Sequence, residues 1–159
     1  MYVDGGFDLF HVGHVEFLRL ARQLGTYLIV GIHSDADVNL HRGANHPIMT
    51  LQERVLGVLS CRYVDEVILG APYAVTNDMM DSLNIAVVAS GAVGCDDPND
   101  AYKAARARGI WTQITSPVTL TSTDVINRIL ANYSKYAERN RKKEAREVAS
   151  LEPPEKKQK

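Results

Sequence analysis

The feature that most constrains the fold of this chain is the segment GGFDLFHVGH at positions 5–14. It follows the apolar start Met1-Tyr2-Val3 and leads into an amphipathic run, Val15–Leu24. A strand, a glycine-rich turn and a helix in this order aim backbone N–H groups and the positive end of the helix dipole at an anion. His11 and His14 are three residues apart, so they project from one face of the first helical turn. The segment therefore predicts a nucleotide phosphate site at the end of the first strand.

Gly13, between the two histidines, is predicted to let a flat part of the nucleotide, such as the ribose or base, approach the backbone. Two other interpretations of the histidine pair stay open. A zinc site would need a third protein ligand, and His33, His41 and His46 do not stand at a recognisable ligand spacing. A chance pair of exposed histidines would leave the glycines and Asp8 unexplained.

Strand-like and helix-like segments alternate along the chain. The strand-like segments are short, rich in β-branched residues and bounded by glycine or polar turns, as buried parallel strands are. This alternation predicts an α/β fold, a doubly wound five-stranded parallel sheet of the Rossmann-like type with helices on both faces. The predicted strands are Tyr2-Val3, Tyr27–Ile32, Val64–Leu69, Ile85–Ala89 and Ile110–Ile114. The predicted helices are His14–Leu24, Leu51–Leu59, Asn77–Leu83 and Asp100–Arg108.

A further helix is predicted near the C-terminus. Thr121 or Ser122 is a suitable N-cap, and Asp124 in the first turn favours the helix dipole. This is a second helix start that can face an anion. The helix is expected to continue past Tyr133 toward Val148.

Charge is unevenly distributed between the body of the chain and its C-terminal end. Residues 138–159 hold eight Lys and Arg against five Asp and Glu, whereas residues 1–137 hold ten against fourteen. An acidic body argues against general nucleic-acid binding. The basic end could contact anionic lipid head groups, but alternating signs are typical of a solvated helix face. We expect one nucleotide-binding domain over residues 1–137 and a charged helical extension over residues 138–159, disordered from Glu152 onward.

Composition also bears on location. No apolar run is long enough to span a bilayer, and no secretory signal follows Met1. Cys61 and Cys95 have neither a CxxC nor a metal-binding spacing, so a reduced, cytoplasmic setting is expected. Because the chain begins almost inside its first strand, we expect it to be cut from a longer polypeptide.

Several further segments accompany the histidine signature in order along the chain. They are Tyr27–Asp35, Glu53-Arg54, Cys61–Val67 and Ala71-Pro72-Tyr73. Together they resemble the HxGH nucleotidyltransferase superfamily and, within it, the cytidylyltransferases of phospholipid synthesis, over nearly all of residues 1–140. The resemblance implies a nucleotidyltransferase fold that joins a nucleoside triphosphate to a phosphorylated alcohol and releases pyrophosphate.

The finer resemblance is to ethanolamine-type members of that family. Pro47-Ile48-Met49 ahead of Glu53-Arg54 is similar to the second of their two tandem domains. This implies CTP and phosphoethanolamine as substrates, CDP-ethanolamine as the product for phosphatidylethanolamine synthesis, and contact with the endoplasmic reticulum surface. A homodimer or a tandem sibling domain is the expected partner. Mg²⁺ is the expected cofactor, bound through substrate phosphates rather than by a protein cage.

Nucleotidyl transfer needs positioning and charge neutralisation around the α-phosphate. His11 and His14 are predicted to be catalytic and to donate hydrogen bonds to phosphate oxygens. The pKa of an imidazole is near neutrality, so each ring is expected to carry a proton at working pH. The backbone amides at Gly6, Phe7 and Asp8 are predicted to hold the triphosphate.

The resemblance implies roles for residues outside the signature. It assigns catalysis to Arg42 and Thr123, nucleotide binding to Arg54, Arg62, Tyr63 and Ser122, and substrate binding to Asp4, Asp35 and Tyr73. Asp4 would pair with the cationic head of the alcohol. Plain alternatives stay open for three of them: a salt bridge on a helix for Arg54, a helix N-cap for Asp35 and strand core for Tyr63.

Three departures from the family pattern predict an attenuated site. Gln113–Thr123 contains no Arg or Lys where active members carry a basic motif, and neutral hydroxyls cannot replace a guanidinium clamp. Arg42-Gly43 replaces Lys-Gly, and Ala89-Ser90-Gly91 replaces His-Gly or His-Asp. Two hypotheses therefore stay open: an active cytidylyltransferase domain, and an attenuated nucleotide-binding domain with a regulatory or structural role. The segment Arg62–Glu66 disfavours a third, an adenylyltransferase of cofactor synthesis.

Overall fold

The computed structural model describes residues 1–43, 45–91 and 100–151. Cys95 and the predicted disordered end from Glu152 lie outside these residues. The strands are β1 (Tyr2–Gly5), β2 (Ile29–Ile32), β3 (Glu66–Leu69), β4 (Val88–Gly91) and β5 (Trp111–Ile114). The helices are α1 (Val12–Arg22), α2 (Asp35–Arg42), α3 (Leu51–Leu59), α4 (Asn77–Ser82), α5 (Lys103–Ala107), α6 (Ser122–Ala131) and α7 (Tyr133–Leu151).

The strands form a parallel sheet in the order β3-β2-β1-β4-β5. The first strand lies in the middle, paired with β2 on one side and with β4 on the other. Strand order therefore reverses between β1 and β4, and in such sheets ligands bind beyond the carboxyl ends of the strands at this point. The predicted five-stranded parallel α/β fold is confirmed, and the turn after β1 lies at the reversal.

Successive side chains of β1 face opposite sides of the sheet, and helices cover both sides. Val3 belongs to a core that includes Leu18 of α1 and Val58 of α3. Tyr2 belongs to a second core that includes Met80 of α4. Each of these large apolar side chains contributes roughly 1.5–3 kcal/mol by leaving water. The two cores anchor the strands whose ends carry the predicted site.

The helices α1, α2 and α5 differ from the sequence predictions, and α5 begins at Lys103 rather than at Asp100. The helix α2 was not predicted, because Val38 is its one buried residue and its sequence is mostly polar. Its N-cap is Ser34, whose hydroxyl accepts a hydrogen bond from the backbone N–H of Asp37. The alternative that Asp35 caps this helix is therefore wrong. The first helix was predicted to start at His14 but begins earlier, at Val12.

The C-terminal helix was predicted to be continuous, but the structure has two helices separated at Asn132. The Asn132 side chain donates a hydrogen bond to the carbonyl of Arg128 at 3.0 Å, and its backbone N–H bonds to Ile129. Such bonds compete with the regular helical pattern, which accounts for the interruption.

The chain divides into two compact units. The first ends at Ser122 and contains the sheet, and the second begins at Thr123. Within the second unit, Glu138 on α7 pairs with Arg141 and Lys142 one turn further along. None of the helices in the described part of the chain has the length and apolar character needed to cross a membrane.

Candidate active site

The turn between β1 and α1 caps the helix with its own two histidines. Nδ1 of His11 accepts a hydrogen bond from the backbone N–H of Gly13 at 3.1 Å. Nδ1 of His14 accepts one from the backbone N–H of His11 at 3.3 Å. These bonds satisfy backbone donors that a helix start leaves open. Because Nδ1 is the acceptor in each ring, each neutral ring carries its proton on Nε2.

The two imidazoles lie against each other, as their spacing predicts, with ring centroids 3.9 Å apart. The His14 ring also packs against Phe7 and Phe10, at centroid distances of 5.4 and 5.6 Å. This burial is the main reason that the pKa of His14 falls to about 3, and the nearby charges of His11 and Arg42 lower it further. At neutral pH the His14 ring therefore lacks the second proton that an ordinary imidazole pKa would allow, and it is a neutral donor through Nε2–H.

Gly13 is required by the packing of the turn. A Cβ at this position would lie 2.7 Å from the carbonyl oxygen of Leu120 and 2.9 Å from Cε1 of His11. The space that the sequence suggested for a ribose or base is filled by protein atoms here. Because Gly13 has no side chain, the backbone at Leu120 can pack closely against the start of α1.

Asp8 fastens the turn to the segment before α3. Its fully buried carboxylate accepts hydrogen bonds from the backbone N–H groups of Ile48 at 2.8 Å and Met49 at 2.9 Å. Burial alone would raise the pKa of Asp8, but these amides and His46 outweigh it and lower the pKa. The Ser122 hydroxyl donates to the backbone carbonyl of Asp8 at 2.7 Å. The side chains of Asp8 and Ser122 thus shape the turn, and the predicted contact of the amides of Gly6, Phe7 and Asp8 with a triphosphate stays a prediction.

Arg54 is a fully buried residue of α3. It donates hydrogen bonds to the carbonyls of Gly6 at 2.6 Å, His33 at 2.8 Å and Met49 at 3.2 Å. It also forms an ion pair with Asp35, at 2.6 Å. The salt bridge that the sequence left open as an alternative is therefore present, with its arginine buried and its aspartate exposed. Four bonds to protein acceptors hold the ends of β1 and β2 together, and the predicted contact of Arg54 with phosphates stays a prediction.

Asp4 lies near the carboxyl end of β1, where it is 8 % exposed. One carboxylate oxygen accepts a hydrogen bond from the Tyr102 hydroxyl at 2.6 Å. The other has no hydrogen-bond partner among the described residues. Burial raises the pKa of Asp4, while His33 and Tyr102 oppose this rise. A buried carboxylate with an open oxygen is suited to receive a cation. Tyr102 was missed by the sequence reasoning because it lies 98 residues further along the chain.

Tyr73, a predicted substrate residue, lies between two histidines. Its ring stacks on His41 with centroids 3.4 Å apart and approaches His33 at 5.4 Å. The His33 ring also contacts the carbonyl of Ala71 at 3.2 Å. The structure thus brings Tyr73 to the end of β2, the strand next to Asp4. In the described ranges no group of three His, Cys, Asp or Glu side chains is arranged to hold a metal ion.

The structure does not bring Arg62 and Tyr63 to the histidine turn. The Arg62 guanidinium lies over the Tyr63 ring, 5.7 Å from its centroid, in the turn that precedes β3. Asp65 of the same turn accepts a hydrogen bond from the backbone N–H of Leu28, just before β2. These residues therefore lie at the amino-terminal edge of the sheet, opposite the histidines. Thr123 is exposed in the second unit, and its catalytic role stays a prediction.

These features define a class of protein. A parallel sheet with the strand order 3-2-1-4-5 carries an HxGH turn at the end of its first strand, which is the arrangement of a nucleotide-binding domain. The cytidylyltransferase-like family model matches residues 2–143. The chain belongs to the cytidylyltransferase-like family.

Named relatives agree with this membership. The chain is 53 % identical over 156 residues to ethanolamine-phosphate cytidylyltransferase of Dictyostelium discoideum, covering 96 % of this chain and 43 % of that protein. The mouse protein of the same name is 46 % identical over 157 residues, covering 96 % of this chain and 39 % of the relative. Human choline-phosphate cytidylyltransferase A is 36 % identical over 144 residues, covering 88 % of this chain and 39 % of the relative. The chain spans less than half the length of these curated relatives.

A solved structure shows a similar fold. The lipopolysaccharide core biosynthesis protein from Thermoplasma volcanium GSS1 superposes with a TM-score of 0.52 and 24 % sequence identity. The match covers 72 % of this chain and 91 % of that one. At this identity the similarity concerns the fold alone.

Proposed function

We propose that this chain is a cytidylyltransferase domain that transfers CMP from CTP to phosphoethanolamine, giving CDP-ethanolamine and pyrophosphate. The observation that carries the proposal is the pairing of two chemistries at the end of β1. Asp4 offers an open carboxylate oxygen to an ammonium group, and the turn that follows offers imidazole and amide donors to phosphates. The names of the relatives favour such an enzyme of phosphatidylethanolamine synthesis over an attenuated nucleotide-binding domain.

In the proposed reaction a phosphate oxygen of phosphoethanolamine attacks the α-phosphorus of CTP. A new P–O bond forms while the bond to the departing pyrophosphate breaks, and pyrophosphate leaves with the electron pair. Nε2–H of His11 and of His14 donates to phosphate oxygens, and Arg42 supplies a permanent positive charge near His14. Bound phosphates favour the charged imidazole, so the pKa of His14 rises from its low value when the triphosphate binds.

Mg²⁺ is proposed to be held by the phosphates of the substrate. The side chains beside the turn are imidazoles and Arg42, whereas Mg²⁺ prefers oxygen ligands. The Asp8 carboxylate is already used by two backbone amides. This donor set fits an ion that arrives with the nucleotide, and when bound it would neutralise charge on the phosphates.

Pyrophosphate release by this chain, supplied with CTP, Mg²⁺ and phosphoethanolamine, tests the proposal. Release should require both substrates. In His14→Asn the amide oxygen can replace Nδ1 and keep the helix cap, but the Nε2–H donor is lost, so turnover should fall about 100-fold or more. His14→Gln is the matched control, because its amide N–H can replace Nε2–H, and it should retain more activity. Release that stays at the level of CTP alone, or an unaffected His14→Asn, would contradict the proposal.

We further propose that the domain works in the cytoplasm, with peripheral contact to the endoplasmic reticulum surface, as a homodimer or beside a sibling domain. The length of the relatives supports the sibling domain, since the matched segment covers 43 % of the Dictyostelium protein. Sedimentation of the chain together with the turnover assay tests this arrangement. A monomer with full activity would remove the need for a partner.

A further inference from the structure

Ser90 of β4 is a buried polar residue that the proposed mechanism does not use. It is 4 % exposed, and within the described ranges its hydroxyl has no hydrogen-bond partner. A buried hydroxyl left without a partner costs roughly 1–3 kcal/mol. Such groups in native proteins call for an explanation, of which a bound ligand is one.

The pairing of the strands places Ser90 beside Asp4. Val3 of β1 is in register with Ala89 of β4, so the residues that follow them are neighbours on strands about 4.8 Å apart. Val3 and Ala89 face one core of the domain. Since side chains alternate along a strand, Asp4 and Ser90 face the other side, that of Tyr2. The Asp4 and Ser90 side chains are thus neighbours on one face of the sheet, where the strand order reverses.

The Tyr2 hydroxyl lies on the other side of Asp4. It is fully buried and lies where a Cβ of Gly31 would be, and Gly31 is in register with Asp4 on the neighbouring strand β2. Burial, the charge of Asp4 and hydrogen bonding to Asp4 raise the pKa of the phenol. Tyr2 therefore stays neutral beside Asp4, and Ser90 is the neighbour that offers a free acceptor.

We propose that Ser90 determines specificity for the alcohol substrate, its hydroxyl oxygen accepting a hydrogen bond from a primary ammonium group that Asp4 binds. This inference rests on the proposed function. A primary ammonium group has three N–H donors, and two of them can reach Asp4 and Ser90, which are neighbours on adjacent strands. A quaternary ammonium group has no N–H, so it would leave the buried Ser90 hydroxyl unpaired. Sites built to hydrogen-bond a substrate reject analogues that lack the donor for this reason.

Calorimetry on the 159-residue chain, titrated with phosphoethanolamine and separately with phosphocholine in the presence of CTP, tests the proposal. Ser90→Ala should weaken phosphoethanolamine binding about 10-fold or more, the equivalent of one hydrogen bond to a charged group. Phosphocholine binding should stay within about twofold, because that ligand makes no such bond. The matched control is Ser60→Ala, which removes an exposed hydroxyl at the end of α3 and should change neither affinity.

Asp4→Asn separates the inference from the proposed function. If Asp4→Asn abolishes phosphoethanolamine binding while Ser90→Ala leaves the ratio of the two affinities unchanged, the role of Ser90 is overturned and the proposed function stands. If the unmodified chain binds neither ligand, both proposals fall. A purely structural Ser90 would shift the melting temperature of Ser90→Ala without changing the ratio, and that result would also overturn the inference.

Discussion

Replacing Arg54 by Lys should remove much of the stability of this domain while keeping the positive charge. The guanidinium donates to three backbone carbonyls and one carboxylate from three nitrogens. Lys presents its donors on a single nitrogen. It therefore cannot reach the carbonyls of Gly6, His33 and Met49 together, and at least two buried acceptors lose their partner.

The size of the effect follows from these contacts. Each buried acceptor left unpaired costs about 1–3 kcal/mol, so the loss of two predicts about 2–6 kcal/mol, a range that includes the cost of breaking a buried ion pair. A typical domain has a net stability of about 5–15 kcal/mol. Asp35→Asn is the matched control, because its amide oxygen can still accept from the guanidinium and the three bonds to backbone carbonyls are kept. It should cost less than Arg54→Lys.

The free energies of unfolding are measured by urea titration, with the fluorescence of Trp111, the one tryptophan of the chain, as the signal. CTP binding to the folded variants is measured in parallel. The structural role predicts a large loss of stability in Arg54→Lys. A variant that unfolds within about 1 kcal/mol of the unmodified chain but binds CTP poorly would refute this reasoning and support the phosphate contact implied by the family resemblance.

Three further predictions concern the turn and the sheet. Lowering the pH from 6.5 toward 3 should destabilise the fold by up to about 1.4 kcal/mol per pH unit, because the unfolded chain protonates His14 at its ordinary pKa while the folded chain does not. Urea unfolding at a series of pH values measures this, and the free energy of unfolding of His14→Asn should depend less steeply on pH. Gly13→Ala should cost about 1–3 kcal/mol, measured by thermal melting, because its Cβ meets a backbone carbonyl. Gly31→Ala should destabilise the sheet because its Cβ overlaps the Tyr2 hydroxyl, and adding Tyr2→Phe should restore part of the melting temperature.

The sheet could be predicted because its signal is local. Short apolar segments such as β2 alternate with helices like α3, and that pattern alone implies a parallel sheet. The helix α2 escaped prediction because a single buried residue, Val38, ties it to the core. The interruption at Asn132 depends on one side-chain hydrogen bond. That bond competes with the regular backbone hydrogen bonds of a helix, although the residues before and after Asn132 are helical.

The site could be predicted only where its residues are close in sequence. His11 and His14 meet because three residues separate them. Arg54 bonds to Gly6 and His33, which lie 48 and 21 positions away in the sequence. A local sequence pattern cannot predict contacts over such separations. Arg62 lies away from the histidine turn because α3 runs back across the sheet and places the turn after it at the far edge, and its role in nucleotide binding stays a prediction. The low pKa of His14 depends on aromatic packing that residue types do not reveal.

The hydrogen bond between the backbone N–H of His11 and Nδ1 of His14 couples two events that are usually independent. An imidazole that gains a second proton can no longer accept at Nδ1, so a charged His14 and a closed helix start exclude each other. If a bound anion charges the ring, as proposed above, the backbone N–H of His11 loses this acceptor. Proton uptake by His14 and opening of the helix cap are then a single step.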